Sequence, residues 1–317
     1  MKLLLAESDD FSEQVISFLD QKFDLTILNN LSQIEFESTF LEYDIIWFRL
    51  NFNLLSIDNK KDIRCKYIVC PVTGTNHISN DFLEKNGINL ISLKGESTFL
   101  KEITPTAEHT VFLTLALIRN AFKAIDDVKN GNWNRDEHRG NELKGKTVGI
   151  IGYGRLGEMT AKIFSAFNCK IRVYDPYSSN KVNQDYFVSQ DIQDVFKLCD
   201  IISVHVDLNS GTNGFIDENL LKYCENTFLI NTSRGEVLNE ADIIKALDEG
   251  RLKGFAADVI ENESINYQKS LLFKNNLKSK NNIILTPHIG GNTYESFNKT
   301  EDFVYKKLIN QIKSNGE

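Results

Sequence analysis

Short apolar runs alternate with longer stretches in which apolar residues recur every three or four positions, and the alternation persists along most of the chain. Runs rich in β-branched and aromatic residues predict strands over 2–6, 24–28, 44–48, 66–70 and 88–92. The helical spacing predicts helices over 11–21 and 80–86, and one long helix from Ala107 to about Val128, with Pro105 at its entry and Thr106 as its cap. A charged, glycine-bearing stretch over 129–146 reads as a loop or linker. Strand–helix repeats then resume, with strands over 147–151, 170–174, 201–206, 227–231, 253–257 and 282–286, and helices over 155–167, 191–198 and 239–249.

Such alternation defines an α/β fold with parallel sheets. The six later strands match the number in a doubly wound dinucleotide fold. A helical tail over 293–314 has no strand of its own to extend the second sheet, so it is expected to cross back onto the first domain. The expected organisation is a Rossmann-type dinucleotide-binding domain at 105–289, inserted into a flavodoxin-like substrate domain built from 1–104 and 290–317.

A length of 317 residues suits two cores better than one, and 41% hydrophobic with 25% charged residues is ordinary for a globular protein. The net charge of -8 is interspersed along the chain and argues against a nucleic-acid partner. No run approaches the roughly 18 apolar residues of a membrane span, so no membrane association is expected. Five scattered cysteines without a C-x-x-C pair predict neither disulfides nor a metal site, and a reducing cytoplasm fits.

The strand at 147–151 runs into Gly152-Tyr153-Gly154-Arg155-Leu156-Gly157 and then a helix. Gly152 permits a tight turn, Gly154 lets backbone N–H groups approach a pyrophosphate, and Gly157 lets helix and strand pack closely. Asp175 ends the next strand, 18 residues beyond Gly157. A carboxylate there accepts hydrogen bonds from ribose hydroxyls and repels a 2′-phosphate, which favours NAD over NADP. Arg155 either touches the pyrophosphate or faces solvent.

Three later strands end in chemically active residue types. Arg234 offers a planar fork for a carboxylate, the segment from Asp258 to Glu263 is acidic, and His288 is a histidine, the residue type suited to proton donation.

With these segments in order and spacing, the chain resembles the D-isomer-specific 2-hydroxyacid dehydrogenase family over nearly its whole length. The residues that carry the likeness are the run 142–157, Tyr174-Asp175-Pro176, Asn231-Thr232-Ser233-Arg234-Gly235 and Thr286-Pro287-His288-Ile289-Gly290-Gly291. The resemblance implies hydride transfer between NAD(H) and C2 of a small 2-hydroxy or 2-keto acid. Arg234 would clamp the substrate carboxylate and His288 would act as general acid and base, tuned by Glu263. It also implies that Asp258 orients the nicotinamide carboxamide, with Thr232, His205 and Gly290 at the cofactor. The loop Thr73-Gly74-Thr75 would hold the substrate carboxylate through backbone N–H groups.

Departures are local. The family's Glu-Pro is Glu263-Ser264 here, which leaves Glu261 as an alternative acidic partner, and Asp207 stands where a proline is usual. His77 and His109 read as structural. A formate or phosphite dehydrogenase on this scaffold is the enzymatic alternative, although formate dehydrogenases of the superfamily lack the glutamate. A non-enzymatic alternative is an NAD-sensing module like the C-terminal binding protein corepressors. The short stretch after the tail helix leads to no expectation of an appended regulatory domain. Homodimerisation is expected through the long helix from Ala107 to Val128.

Overall fold

In a computed structural model whose described residues are 1–9, 11–55, 62–75, 77–177, 182–277 and 282–316, the chain divides into two compact units. One comprises Met1–Ile103 with Asn292–Glu317, and the other is Thr104–Gly291.

In the first unit, β1 (Lys2–Leu5), β2 (Asp24–Ile27), β3 (Ile45–Trp47), β4 (Tyr67–Cys70) and β5 (Asn89–Ser92) form one parallel sheet in the order β2-β1-β3-β4-β5. That order is the flavodoxin-like one. Leu3, Leu4 and Leu5, all of β3 and all of β4 are buried, because helices cover both faces of such a sheet. Leu3, Leu5, Trp47 and Val69 face one core, while Leu4, Ile46 and Ile68 face the other. The tail helix Tyr294–Ser314 contributes Val304, Leu308 and Ile312 to the first of these cores, at the four-residue spacing of a helix face.

The second unit holds β6 (Thr147–Ile151), β7 (Lys170–Tyr174), β8 (Phe187–Val188), β9 (Ile201–Val204), β10 (Thr227–Asn231), β11 (Leu252–Ala257) and β12 (Ile283–Leu285). All pairings are parallel, in the order β12-β11-β10-β9-β6-β7-β8. The chain winds outward from β6 to one side and then from β9 to the other. A switch point therefore lies between the carboxyl ends of β6 and β9, where doubly wound sheets bind ligands.

Three expectations need correction. The second sheet has seven strands rather than six: β8 is two exposed residues long, too short for any periodicity to reveal. The long helix from Ala107 to Val128 is two helices, Pro105–Ile118 and Ala121–Lys129. Asn120 between them is left-handed at φ 53°, and the Ile118 carbonyl accepts Asn141 N–H at 2.8 Å instead of continuing the helical ladder. Finally, Thr104 rather than Thr106 occupies the cap, because Pro105 lacks an N–H and takes the first helical position, where none is needed.

Candidate active site

At the carboxyl end of β6 the chain turns at Gly152, whose φ of 89° favours glycine and where a Cβ would stand 2.5 Å from the His205 carbonyl oxygen. A Cβ on Gly157 would collide with the Gly152 carbonyl, so the helix Arg155–Ala166 lies tight on the strand. Nothing lies within 4 Å of a Cβ position at Gly154, which caps the start of that helix. Asp175 bridges the turn: Oδ2 accepts Tyr153 N–H at 2.7 Å and Oδ1 accepts Tyr177 N–H at 2.8 Å. The residues therefore fit a dinucleotide, with a glycine turn and a helix start for its pyrophosphate and a carboxylate at the next strand end for its ribose. Arg155 and Leu156 open the helix half-buried, and burial pushes the Arg155 guanidinium below its usual range.

His205 follows β9 and donates its backbone N–H to the Ile151 carbonyl at 2.8 Å, which seats it against the glycine turn. Its Nε2 lies 2.8 Å from Ser203 Oγ, while Nδ1 is buried without a partner among the described residues. Burial pushes this imidazole down to about 4, so it is neutral near pH 7.

The neighbouring strands β10, β11 and β12 present the reactive types. The Asn231 side chain shapes the turn after β10, with Oδ1 accepting Ser233 N–H at 3.0 Å and Nδ2 donating to Arg234 O at 2.8 Å. Arg234 emerges half-buried, bonds Ser233 O at 2.6 Å, and has no carboxylate partner among the described residues. An unpaired guanidinium held this way is an anion receptor. Thr232 aims its hydroxyl at Thr110 Oγ1, 2.8 Å away on the helix Pro105–Ile118, so its side chain is engaged within the protein.

His288 follows β12 with φ 55°, a left-handed conformation that costs a non-glycine residue roughly 1–2 kcal/mol. Its Nδ1 bonds Glu263 Oε1, and Glu263 Oε2 accepts Ile260 N–H at 3.3 Å. The carboxylate thus fixes the ring through one nitrogen and leaves Nε2 for other chemistry. Glu261, the other acid considered, is turned instead to Asn262 Nδ2 at 3.3 Å. Arg234 and His288 follow β10 and β12, the two strands that flank β11.

Asp258, 2% exposed, organises the His288 turn. Its carbonyl accepts His288 N–H at 2.9 Å, Oδ1 accepts Thr286 Oγ1 at 2.5 Å and Ile289 N–H at 2.9 Å, and Oδ2 accepts Gly290 N–H at 2.7 Å. Burial works against its charge, but bonds from His109, Thr286, Gly290 and Ile289 outweigh it and hold the carboxyl below its usual range. Oδ1 carries the Thr286 and Ile289 bonds, with His109 Nε2 3.4 Å away, whereas Oδ2 accepts Gly290 N–H alone, and of about two lone-pair sites on that oxygen one remains. The sequence reading anticipated Asp258 only as a cofactor contact. The Asx-type signal in Asn231-Thr232-Ser233 was available for the turn after β10, but nothing local announced His109 as part of this cluster. In the first unit, Thr73-Gly74-Thr75 follows β4 at the carboxyl end of its own sheet.

A doubly wound sheet with a dinucleotide turn, a free guanidinium and a carboxylate-bound histidine at its strand ends defines a nicotinamide-type oxidoreductase scaffold. Residues 111–290 match the family described as D-isomer specific 2-hydroxyacid dehydrogenase, NAD binding domain. The chain belongs to that family. It is 35% identical over 258 residues to a glyoxylate reductase of Thermococcus litoralis, covering 78% of this chain and 73% of that one. It is 30% identical over 292 residues to a D-3-phosphoglycerate dehydrogenase of Methanocaldococcus jannaschii, covering 91% of this chain and 53% of the relative. The chain thus spans about half the length of such phosphoglycerate dehydrogenases. Among solved structures, D-lactate dehydrogenase from Aquifex aeolicus complexed with NAD and lactic acid superposes with a TM-score of 0.82 at 25% identity, covering 99% of this chain and 96% of that one.

Proposed function

We propose that the chain is an NAD-dependent 2-hydroxyacid dehydrogenase acting on a small 2-keto or 2-hydroxy acid. The observation that carries this is the Glu263–His288 pair at the end of β12, in the same sheet as the glycine turn and the unpaired Arg234. NADH, when bound, supplies the hydride for C2, and Gly152, Gly154, Gly157 and Asp175 are the residues to hold it. The Arg234 fork binds the substrate carboxylate and stabilises negative charge growing on the C2 oxygen. His288, protonated, donates from Nε2 to that oxygen; in the reverse direction the neutral ring takes the proton back. Glu263 stabilises the imidazolium through Nδ1. The remaining acceptor site on Asp258 Oδ2 suits a carboxamide N–H. The first unit is the substrate-binding domain in this reading, and Thr73-Gly74-Thr75 at the carboxyl end of its β4 is its candidate backbone-donor loop.

Two physical features support a homodimer in a reducing cytoplasm. All five cysteines are buried and free. Phe112, Phe122, Ile125, Val128 and Trp133 expose apolar side chains along one stretch, and the helix Ala121–Lys129 buries none of its residues, so a second copy is its expected cover. Among the described residues no helix is long and apolar enough to cross a membrane.

The deciding experiment follows NADH oxidation by the purified chain with glyoxylate, hydroxypyruvate, pyruvate and phosphohydroxypyruvate. Turnover of at least one is expected. NADH binding without turnover of any keto acid would favour a sensing role, and formate-dependent reduction of NAD would replace the assignment.

A further inference from the structure

We propose that His109 is a positioning residue for the acid–base turn, holding His288 in place through Thr286 and Asp258. The inference rests on the reading of His288 as proton donor given above. His109 lies on the helix Pro105–Ile118, with Nε2 2.9 Å from Thr286 Oγ1 and 3.4 Å from Asp258 Oδ1. Counting protons fixes the direction of these bonds. The Thr286 hydroxyl has one hydrogen, and its 2.5 Å partner is a carboxylate oxygen with none to give. The hydroxyl therefore donates to Asp258, and His109 must donate from Nε2–H to the Thr286 oxygen. A directed relay results, from His109 to Thr286 to Asp258.

Asp258 in turn accepts the backbone N–H groups of His288, Ile289 and Gly290, three successive residues of the turn that carries the acid. A left-handed histidine persists only where its surroundings over-determine it. These three amide bonds supply that constraint: the His288 amide ends on the Asp258 backbone carbonyl, and the Ile289 and Gly290 amides end on its carboxylate, whose side chain is 3% exposed. Without His109, the Thr286 oxygen loses its donor and the buried carboxylate loses the ring nitrogen 3.4 Å from Oδ1. The carboxylate then has reason to turn toward water and release the amides. A rival role is plain packing, since the His109 ring also lies 5.6 Å from that of Phe112.

The test compares His109→Ala and His109→Gln in the full chain. It follows turnover of the keto acid that wild type reduces fastest, its KM, and hydrogen exchange of the Ile289 and Gly290 amides. Misplacing a reacting group by about 1 Å costs about 10²-fold, so His109→Ala is expected to lower kcat by ten- to a hundredfold with KM changed little. Exchange at the two amides should rise about tenfold or more as the local turn opens more readily. Glutamine, which can present a side-chain N–H toward Thr286, should recover most of both. Unchanged kcat or protection in the alanine variant, or glutamine no better than alanine, would overturn the proposal. Should wild type reduce no keto acid, the functional reading falls, while exchange at Ile289 and Gly290 still decides the role of His109.

Discussion

Asp258 and Gly290 are fitted to each other: Oδ2 accepts the Gly290 amide at 2.7 Å, and a Cβ added at Gly290 would stand 2.8 Å from that same oxygen. Neither backbone nor buried carboxylate can give way cheaply. Gly290→Ala is expected to destabilise the protein by about 1–3 kcal/mol, the range for overpacking a tight site, and to lower turnover. Urea unfolding and steady-state kinetics on one preparation check both.

In the proposed function Arg234 acts on the substrate rather than on the cofactor. A hydrogen bond to a charged group is worth about 1.5–3 kcal/mol, so Arg234→Met should weaken keto-acid binding by roughly 10- to 150-fold while the NADH dissociation constant, read by fluorescence, stays near wild type. Parallel loss of NADH binding would show that the guanidinium serves the nucleotide instead.

Asp175 has a backbone role at the glycine turn, and in the proposed function its charge also repels a 2′-phosphate. Asp175→Asn retains an acceptor and removes the charge. The ratio of NADPH to NADH affinity should rise at least about tenfold, which is 1.4 kcal/mol. Titrating both nucleotides against both proteins measures it, and an unchanged ratio would contradict the assigned preference.

His205 makes stability depend on pH. Its folded-state value is pushed down to about 4 by burial, against about 6.5 for an unfolded histidine. As pH falls below 6.5 the unfolded chain takes up the proton first, so stability is lost between about 6.5 and 4 and is fully present above 6.5. The difference corresponds to about 3 kcal/mol at 1.36 kcal/mol per unit. Urea midpoints across this range should fall less steeply for His205→Gln than for wild type.

In the first unit the Arg49 guanidinium pairs with Glu301 on the tail helix, and the second Glu301 oxygen accepts Ser12 N–H at 2.9 Å. The Glu301 side chain is fully buried, and Arg49 stacks over Phe297 at 4.0 Å. Removing one member of such a pair strands the other, so Glu301→Ala should cost about 3–5 kcal/mol. Loss of the tail helix from that unit, seen as faster amide exchange at Val304 and Leu308, is the accompanying sign.

The strands were legible because parallel sheets covered on both faces need continuous apolar runs, and Thr147-Val148-Gly149-Ile150-Ile151 is one; its predicted and observed limits coincide. β8 escaped because two exposed residues, Phe187 and Val188, carry no pattern and gain their pairing from β7 alone. The helix break at Asn120 escaped for a different reason. The partner that satisfies Ile118 lies at Asn141, and a local pattern cannot show a bond to a distant segment. The same limit applies at the site. Arg234, Glu263 and His288 announce themselves by residue type at strand ends, but the cluster around Asp258 requires knowing that the helix Pro105–Ile118 packs against β10, β11 and β12.

The order in which the chain is synthesised acquires a meaning from the tail helix. The sheet of the first unit leaves the ribosome before the second unit, yet Val304, Leu308 and Ile312, which close one of its faces, follow only after it. The second unit is contiguous and can complete its core while the earlier sheet still waits for its cover. During translation the exposed Leu3, Leu5 and Trp47 face is thus the surface that a chaperone would have to shield.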